Sequence, residues 1–161
     1  MRSIVRLALL LGFCFSFATL SFADEESPAK TPTLIEFRRA SFNEKPDWKE
    51  VELRGSDRRL FLSALSEITD ADVQSMSVDS REEFDSWFVT IELSEKGGEK
   101  MLALTKEHVN QPLAILVNGE AIMAPVIKQQ IGGRIQISGL SEKEARSLVK
   151  TFEQRSRISS D

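Results

Sequence analysis

This chain has little of what usually carries chemistry. Its 161 residues include one cysteine, one histidine and no tyrosine. Cys14 sits in the apolar start of the chain, so there is no second cysteine for a disulfide and no cysteine–histidine set for zinc. His108 follows a helix-like segment, where an imidazole most simply meets the last helical carbonyls. No serine stands in a nucleophile-elbow pattern. Glu82-Glu83 and Glu142/Glu144 read as solvated faces rather than acid–base pairs. Asp70-Ala71-Asp72 lacks the ordered oxygen ligands and the glycine of a calcium loop. Gly132-Gly133 leads into a strand without the lysine and hydroxyl residue of a phosphate loop, so a tight turn is the better account. The expectation is no catalytic residue, no metal and no cofactor.

Basic charge is also scarce. The formal net charge is −4, and no Lys/Arg run is longer than the pairs Arg38-Arg39 and Arg58-Arg59. Such a chain is repelled by phosphate and by anionic lipid, which argues against nucleic acid as a partner and against a polybasic membrane anchor. Long apolar runs are absent beyond residue 23. Before it, Arg2 and Arg6 precede the uncharged run from Leu7 to Leu20, and Ser21-Phe22-Ala23 carries small residues at the minus-three and minus-one positions. That is the pattern of a secretory signal peptide over residues 1–23, and the run is short of the roughly 20 residues a spanning helix needs. Export to a periplasm or to the medium is expected, with no membrane span after cleavage. Without Arg2 and Arg6 the 21 basic residues fall to 19 against 25 acidic ones, a net charge near −6.

What is present is a dense series of structural signals. Residues 24–32 are acidic and proline-bearing and read as a flexible leader. Short strands are expected at Thr33–Arg38, around Val51 and Leu53, at Leu60–Ser63 and at Gln74–Val78. Thr69 can cap one helical turn, and Asp79–Asp85 reads as a charged turn. From Ser86 to Gly139 the signals run without a break. Trp87, Val89, Ile91 and Leu93 alternate onto one face of a strand. Ser94 caps a helix whose face carries Gly98, Met101, Leu102, Thr105 and Val109. Gly97 and Gly98 mark either a close approach of the helix to the sheet or a frayed first turn. Asn118-Gly119 joins Leu113–Val117 to Glu120–Ala124 as a type I′ hairpin, pairing Val117 with Glu120, Ile115 with Ile122 and Leu113 with Ala124. Arg134–Ser138 is the last strand. A capping box at Ser141 and Glu144 opens a final helix with Ala145, Leu148, Val149 and Phe152 on one stripe. The domain is expected over residues 33–153, with 154–161 a disordered tail.

These elements predict an α+β fold. An antiparallel sheet carries two main helices on one face, in ferredoxin-like layering, with the N-terminal strands added. Trp87, Val89, Ile91, Ile135 and Ile137 would lie under the helices. Phe88, Leu116 and Met123 would then stand on the other face among Thr90, Glu92, Arg134 and Gln136, the one place where a peptide or protein partner could be held. That face is either open or covered by the segment from Thr33 to Val78.

The order of these marks resembles the periplasmic domain of SecD, a subunit of the SecDF protein-export complex. The resemblance rests on Leu34-Ile35-Glu36-Phe37-Arg38, Ile68-Thr69-Asp70-Ala71-Asp72-Val73 and the strand Val89–Leu93. It continues through Gly98, Thr105, Leu113–Gly119, Ala124-Pro125-Val126-Ile127, Ile131-Gly132-Gly133 and Ile137-Ser138-Gly139. Asn118 stands where the family often has aspartate, a change a type I′ turn accepts. The resemblance implies a non-enzymatic module that binds polypeptide or an envelope protein and assists export. The proton-coupling membrane helices of the family have no counterpart in the sequence beyond its start. A structural or assembly component of the envelope that uses the same sheet face as an interface is the alternative, and the oligomeric state stays open.

Overall fold

In the computed structural model, residues 33–81 and 86–158 are described. The expected signal peptide, the leader and the last three residues of the expected tail lie outside them. The strands are β1 (Ile35–Ser41), β2 (Lys49–Glu52), β3 (Arg59–Leu62), β4 (Ile68–Thr69), β5 (Val73–Arg81), β6 (Ser86–Leu93), β7 (Leu113–Val117), β8 (Glu120–Met123) and β9 (Arg134–Leu140). The helices are α1 (Glu95–Glu107) and α2 (Glu142–Ile158). The α+β class with antiparallel pairing and two helices is as expected.

The strands are divided between two sheets rather than laid in one. The larger has the order β2-β3-β1-β7-β8, with β4 pairing the first half of β1; the smaller is β5-β6-β9. The division falls where the 3₁₀ turn Asp70–Asp72 separates β4 from β5 and redirects the chain. It recurs after β8, where the 124–133 loop carries the chain across. That loop is tied down by hydrogen bonds from Ile127 N–H to the Gln111 carbonyl (2.9 Å) and from Ile131 N–H to Thr105 Oγ1 (2.9 Å).

One apolar cluster joins both sheets to both helices. Ile35, Phe37, Ile115 and Val117 enter it from the larger sheet, and Val89, Ile91 and Ile137 from the smaller. Met101 and Leu104 come from α1, and Ala145, Leu148 and Phe152 from α2, with Trp87 and Ile135 packed at its margin. Each fully buried large side chain contributes about 1.5–3 kcal/mol. A second, smaller cluster fills the other face of the larger sheet and is built from Ala40, Leu60, Leu62, Ala114, Leu116 and Ala121. Its alanines let that sheet curl until Leu53, just past β2, makes a parallel bridge to Ala121 of β8.

Other differences from the sequence reading are local. The buried stripe of α1 is Gly97, Met101, Leu104 and Thr105, whereas Leu102 and Val109 are exposed. β5 continues through Asp79 to Arg81, because its partner β6 is long enough to pair with all of it. α2 runs to Ile158, past the expected end at Glu153, and Arg155 in its last turns holds Asp70 at 3.4 Å.

The glycine pair marks a close approach. A Cβ on Gly97 would stand 2.4 Å from the Asp72 carbonyl oxygen, while one on Gly98 would meet Gly133 Cα at an ordinary 3.5 Å. Ser94 caps the helix through Oγ, which accepts from Gly97 N–H at 3.1 Å, so the first turn is not frayed. The two adjacent glycines should therefore respond with opposite sign. Gly97→Ala should destabilise by about 1–3 kcal/mol through overpacking against backbone. Gly98→Ala should be neutral or stabilising by up to about 1 kcal/mol through helix propensity. Urea unfolding of the two variants checks this, and equal shifts would refute it.

Candidate binding surface

The three residues expected to share a face are not brought together. Leu116 is buried in the second cluster, where β2 and β3 fold over it with Val51, Leu53, Leu60 and Leu62. Met123 is half-buried against the main cluster instead. The cause is a β-bulge in the hairpin. Val117 faces Glu120 and Leu116 faces Ala121, but Ile115 faces Met123, leaving Ile122 as the extra residue. The turn itself is as expected, with Asn118 and Gly119 at φ 50° and 83°. The bulge lets Ile122 enter the main core, where it packs beside Gly139. Phe88 is half-buried in the smaller sheet and is the one member of the trio on a face turned away from both clusters.

That face is the outer side of β5-β6-β9. Across it run two polar rungs. Asp79 accepts a hydrogen bond from the Thr90 hydroxyl at 2.5 Å, and Gln136 Nε2 donates to Thr90 Oγ1 at 3.4 Å. In the second, Ser75 Oγ donates to Glu92 at 3.4 Å and Arg134 stands 3.9 Å from the same carboxylate. Phe88, opposite Asp79 in the register, is the apolar element among these groups. Sequence reading placed Phe88, Thr90, Glu92, Arg134 and Gln136 here but not Ser75, Ser77 and Asp79. The signal for those three was the alternation Ser75-Met76-Ser77-Val78-Asp79, whose period continues beyond Val78.

The second polar feature was not foreseen at all. Arg54, beyond β2, forms a fork with Glu120 of β8 (Nε–Oε1 2.8 Å, Nη2–Oε2 2.5 Å) and reaches Glu144 of α2 at 3.0 Å. Its partners lie 66 and 90 residues away, and no local pattern announces them. The hydrogen bond to Glu120 raises the Arg54 pKa, and the same bond holds the Glu120 carboxyl below its ordinary range. Glu144 is lowered first by the Ser141 hydroxyl, then by the Ser141 N–H, with Arg54 adding to it. This is the expected capping box, with Ser141 Oγ and N at 2.7 and 2.8 Å from the carboxylate. His108 Nδ1 lies 2.9 Å from the Leu104 carbonyl, at the helix end as expected. Asp72 is used structurally: its carboxylate accepts from Thr69 N–H and pairs with Lys100. Among the described residues, no cluster of histidine, cysteine, aspartate and glutamate could hold a metal. No described helix is long and apolar enough to cross a membrane.

With this geometry in hand, comparison with known proteins is informative. The family model for the SecDF P1 head subdomain matches residues 48–154. The chain belongs to that family. The SecD translocase subunit of Magnetococcus marinus is 38% identical to this P1 head over 69 residues, 42% of the present chain and 13% of the relative. The SecD subunit of Petrotoga mobilis is 32% identical over 85 residues, 52% of the chain and 18% of the relative. The P1 head chain thus spans less than a fifth of the length of these curated relatives. Two solved SecDF structures share the fold at 21% identity, each over 75% of the chain. One is the super-membrane-facing crystal form, with a TM-score of 0.59 over 18% of its own length. The other is a SecDF described as a membrane component that enhances protein export, with a TM-score of 0.58 over 62% of its length.

The Arg54 clasp yields a pH prediction. Glu120 and Glu144 have folded-state pKa values below their unfolded ones. Their contribution is therefore fully present above the ordinary carboxylate range and is lost as pH falls through the depressed values. Arg54→Met should cost roughly 0.5–1 kcal/mol at about pH 7, as for a forked pair near the surface. At an acid pH below those depressed values the difference from the parent should largely disappear. Chemical denaturation at the two pH values measures it; a loss independent of pH would assign Arg54 a packing role instead.

Proposed function

We propose that this chain is a non-enzymatic, protein-export-related module that works on the outer side of a membrane by binding polypeptide. Membership of the SecDF P1 head family is the observation that carries the reading. The sheet face around Phe88 supports it, because a strand surface with one large apolar side chain among hydrogen-bonding groups can hold an extended chain with little regard to sequence. A module that handles many exported chains needs such tolerance. The signal-like start of the sequence agrees with a place beyond the cytoplasmic membrane. Leu116, enclosed in the second cluster, is not part of the proposed contact, and Met123 contributes at most its half-exposed edge.

Phe88→Ala tests the reading. If Phe88 anchors the bound chain, its loss should weaken binding of a reduced, carboxymethylated polypeptide by about 1–2 kcal/mol, roughly 5- to 30-fold. The variant should still unfold cooperatively. Fluorescence anisotropy with labelled polypeptide gives the affinity. Absence of any binding by the parent protein would overturn the proposal, and unchanged affinity in the variant would remove Phe88 from it.

A further inference from the structure

The four outer edges of the two sheets are not alike. β2 is short and reads Lys49-Glu50-Val51-Glu52, a charged edge of the kind that discourages pairing. β8 is closed by the Leu53 bridge and by Arg54 N–H, which donates to the Ala121 carbonyl at 3.0 Å. β9 lies beside β8, and Arg54 Nη1 reaches its Gly139 carbonyl at 3.5 Å. β5 has none of these protections. It is the longest strand, nine residues, and carries neither proline nor lysine, with no charged residue from Val73 to Val78. Its inner neighbour β6 pairs with it from Val73 to Arg81, continuously beyond a bulge between Val73 and Ser75, and among the described residues nothing pairs with its outer side. Alternate backbone N–H and C=O groups on that side thus have no partner among the described residues.

We infer that the outer edge of β5 is a strand-addition site for an extended polypeptide whose apolar side chains recur at every second residue. Only an extended backbone can meet a row of alternating donors and acceptors, and these bonds are indifferent to the sequence that makes them. The required alternation follows from the two faces of β5. Its outer face shows Ser75, Ser77 and Asp79. On its inner face Met76 is buried and Val78 half-buried in the main cluster, with α2 packed beneath. Where β5 begins, a groove of about 690 Å³ sets Val73, Phe152 and Ile158, the last 78% exposed, beside the Asp70–Arg155 pair. Side chains of an added strand that point inward would continue this apolar layer and cover Ile158, while those pointing outward would join the polar face beside Phe88. The inference rests on the polypeptide-binding reading above and specifies how the chain is held.

Amide hydrogen exchange of the full chain tests it, with a twelve-residue peptide of alternating valine and threonine as probe. Two further versions of the peptide carry N-methyl groups on alternate amides, one set for each edge of the strand. Binding should slow exchange of the solvent-facing amides of residues 73–81 at least tenfold, and one methylated version should bind at least tenfold more weakly than the other. Binding with protection elsewhere, or with no penalty from either methylation, would overturn the strand-addition site and leave polypeptide binding standing. Failure of both this peptide and unfolded polypeptide to bind would overturn both. Protection of the β5 edge already in the free protein would show it filled, by a second copy if the protection grows with concentration and by the chain itself if it does not. Either result would overturn the inference.

Discussion

The structure turns on a backbone junction where β6 becomes α1. There Leu93 N–H donates to the Gly133 carbonyl at 2.7 Å, and Ser94 N–H donates to the Asp72 carbonyl at 2.8 Å. One residue thus ties β6 to the loop before β9, and the next ties it to the turn before β5. The helix can leave the sheet at this point only because Gly97 faces the Asp72 carbonyl with no side chain between them, whereas Gly98 lies against Gly133 with ordinary room. Both neighbours of β6 are aligned by these contacts, and α1 is aimed over the core with Met101 and Leu104 inward. The cost is a helix that opens with two glycines, on the order of 1 kcal/mol each in propensity. The Ser94 cap recovers a similar amount.

From that junction the two sheets acquire different roles. The larger is consumed by packing: one face meets the main core, and the other closes over Leu116 with Arg54, Glu120 and Glu144 clasping the seam. Its edges are short, charged or bridged. The smaller sheet gives its inner face to the helices, turns a largely polar face away from them, and has no partner for the β5 edge among the described residues. A platform that must receive varied chains and release them suits that division, because backbone pairing and a single apolar anchor give contact without demanding sequence.

Much of this was legible from short-range chemistry. Asn118-Gly119, the Ser94 cap, the Ser141–Glu144 box and the stripe of Ala145, Leu148 and Phe152 each depend on residues within a turn or two of one another. The α+β class follows from their order. What could not be read were features decided by distant partners. The bulge at Ile122 turns an additional side chain into the main core, where its neighbour Gly139 lies far along the chain. Leu116 is covered because β2 and β3 return over it. Asp79 belongs to a strand because β6 offers it a partner, although its own composition suggests a turn. The split into two sheets likewise depends on the 3₁₀ turn at Asp70–Asp72, whose carboxylates find Leu34, Lys100 and Arg155 elsewhere in the fold. The candidate surface was therefore half visible: Phe88 could be found by alternation, while the same alternation on β5 was masked where it runs into the charged residues after Val78.

The central claim is that this domain recognises chain that has not folded. Isothermal titration with one small disulfide-bonded protein, used both native and after reduction and carboxymethylation, tests it most directly. The account predicts heat of binding from the unfolded form and none from the native form. Equal binding of the two, or binding of the native form alone, would contradict it.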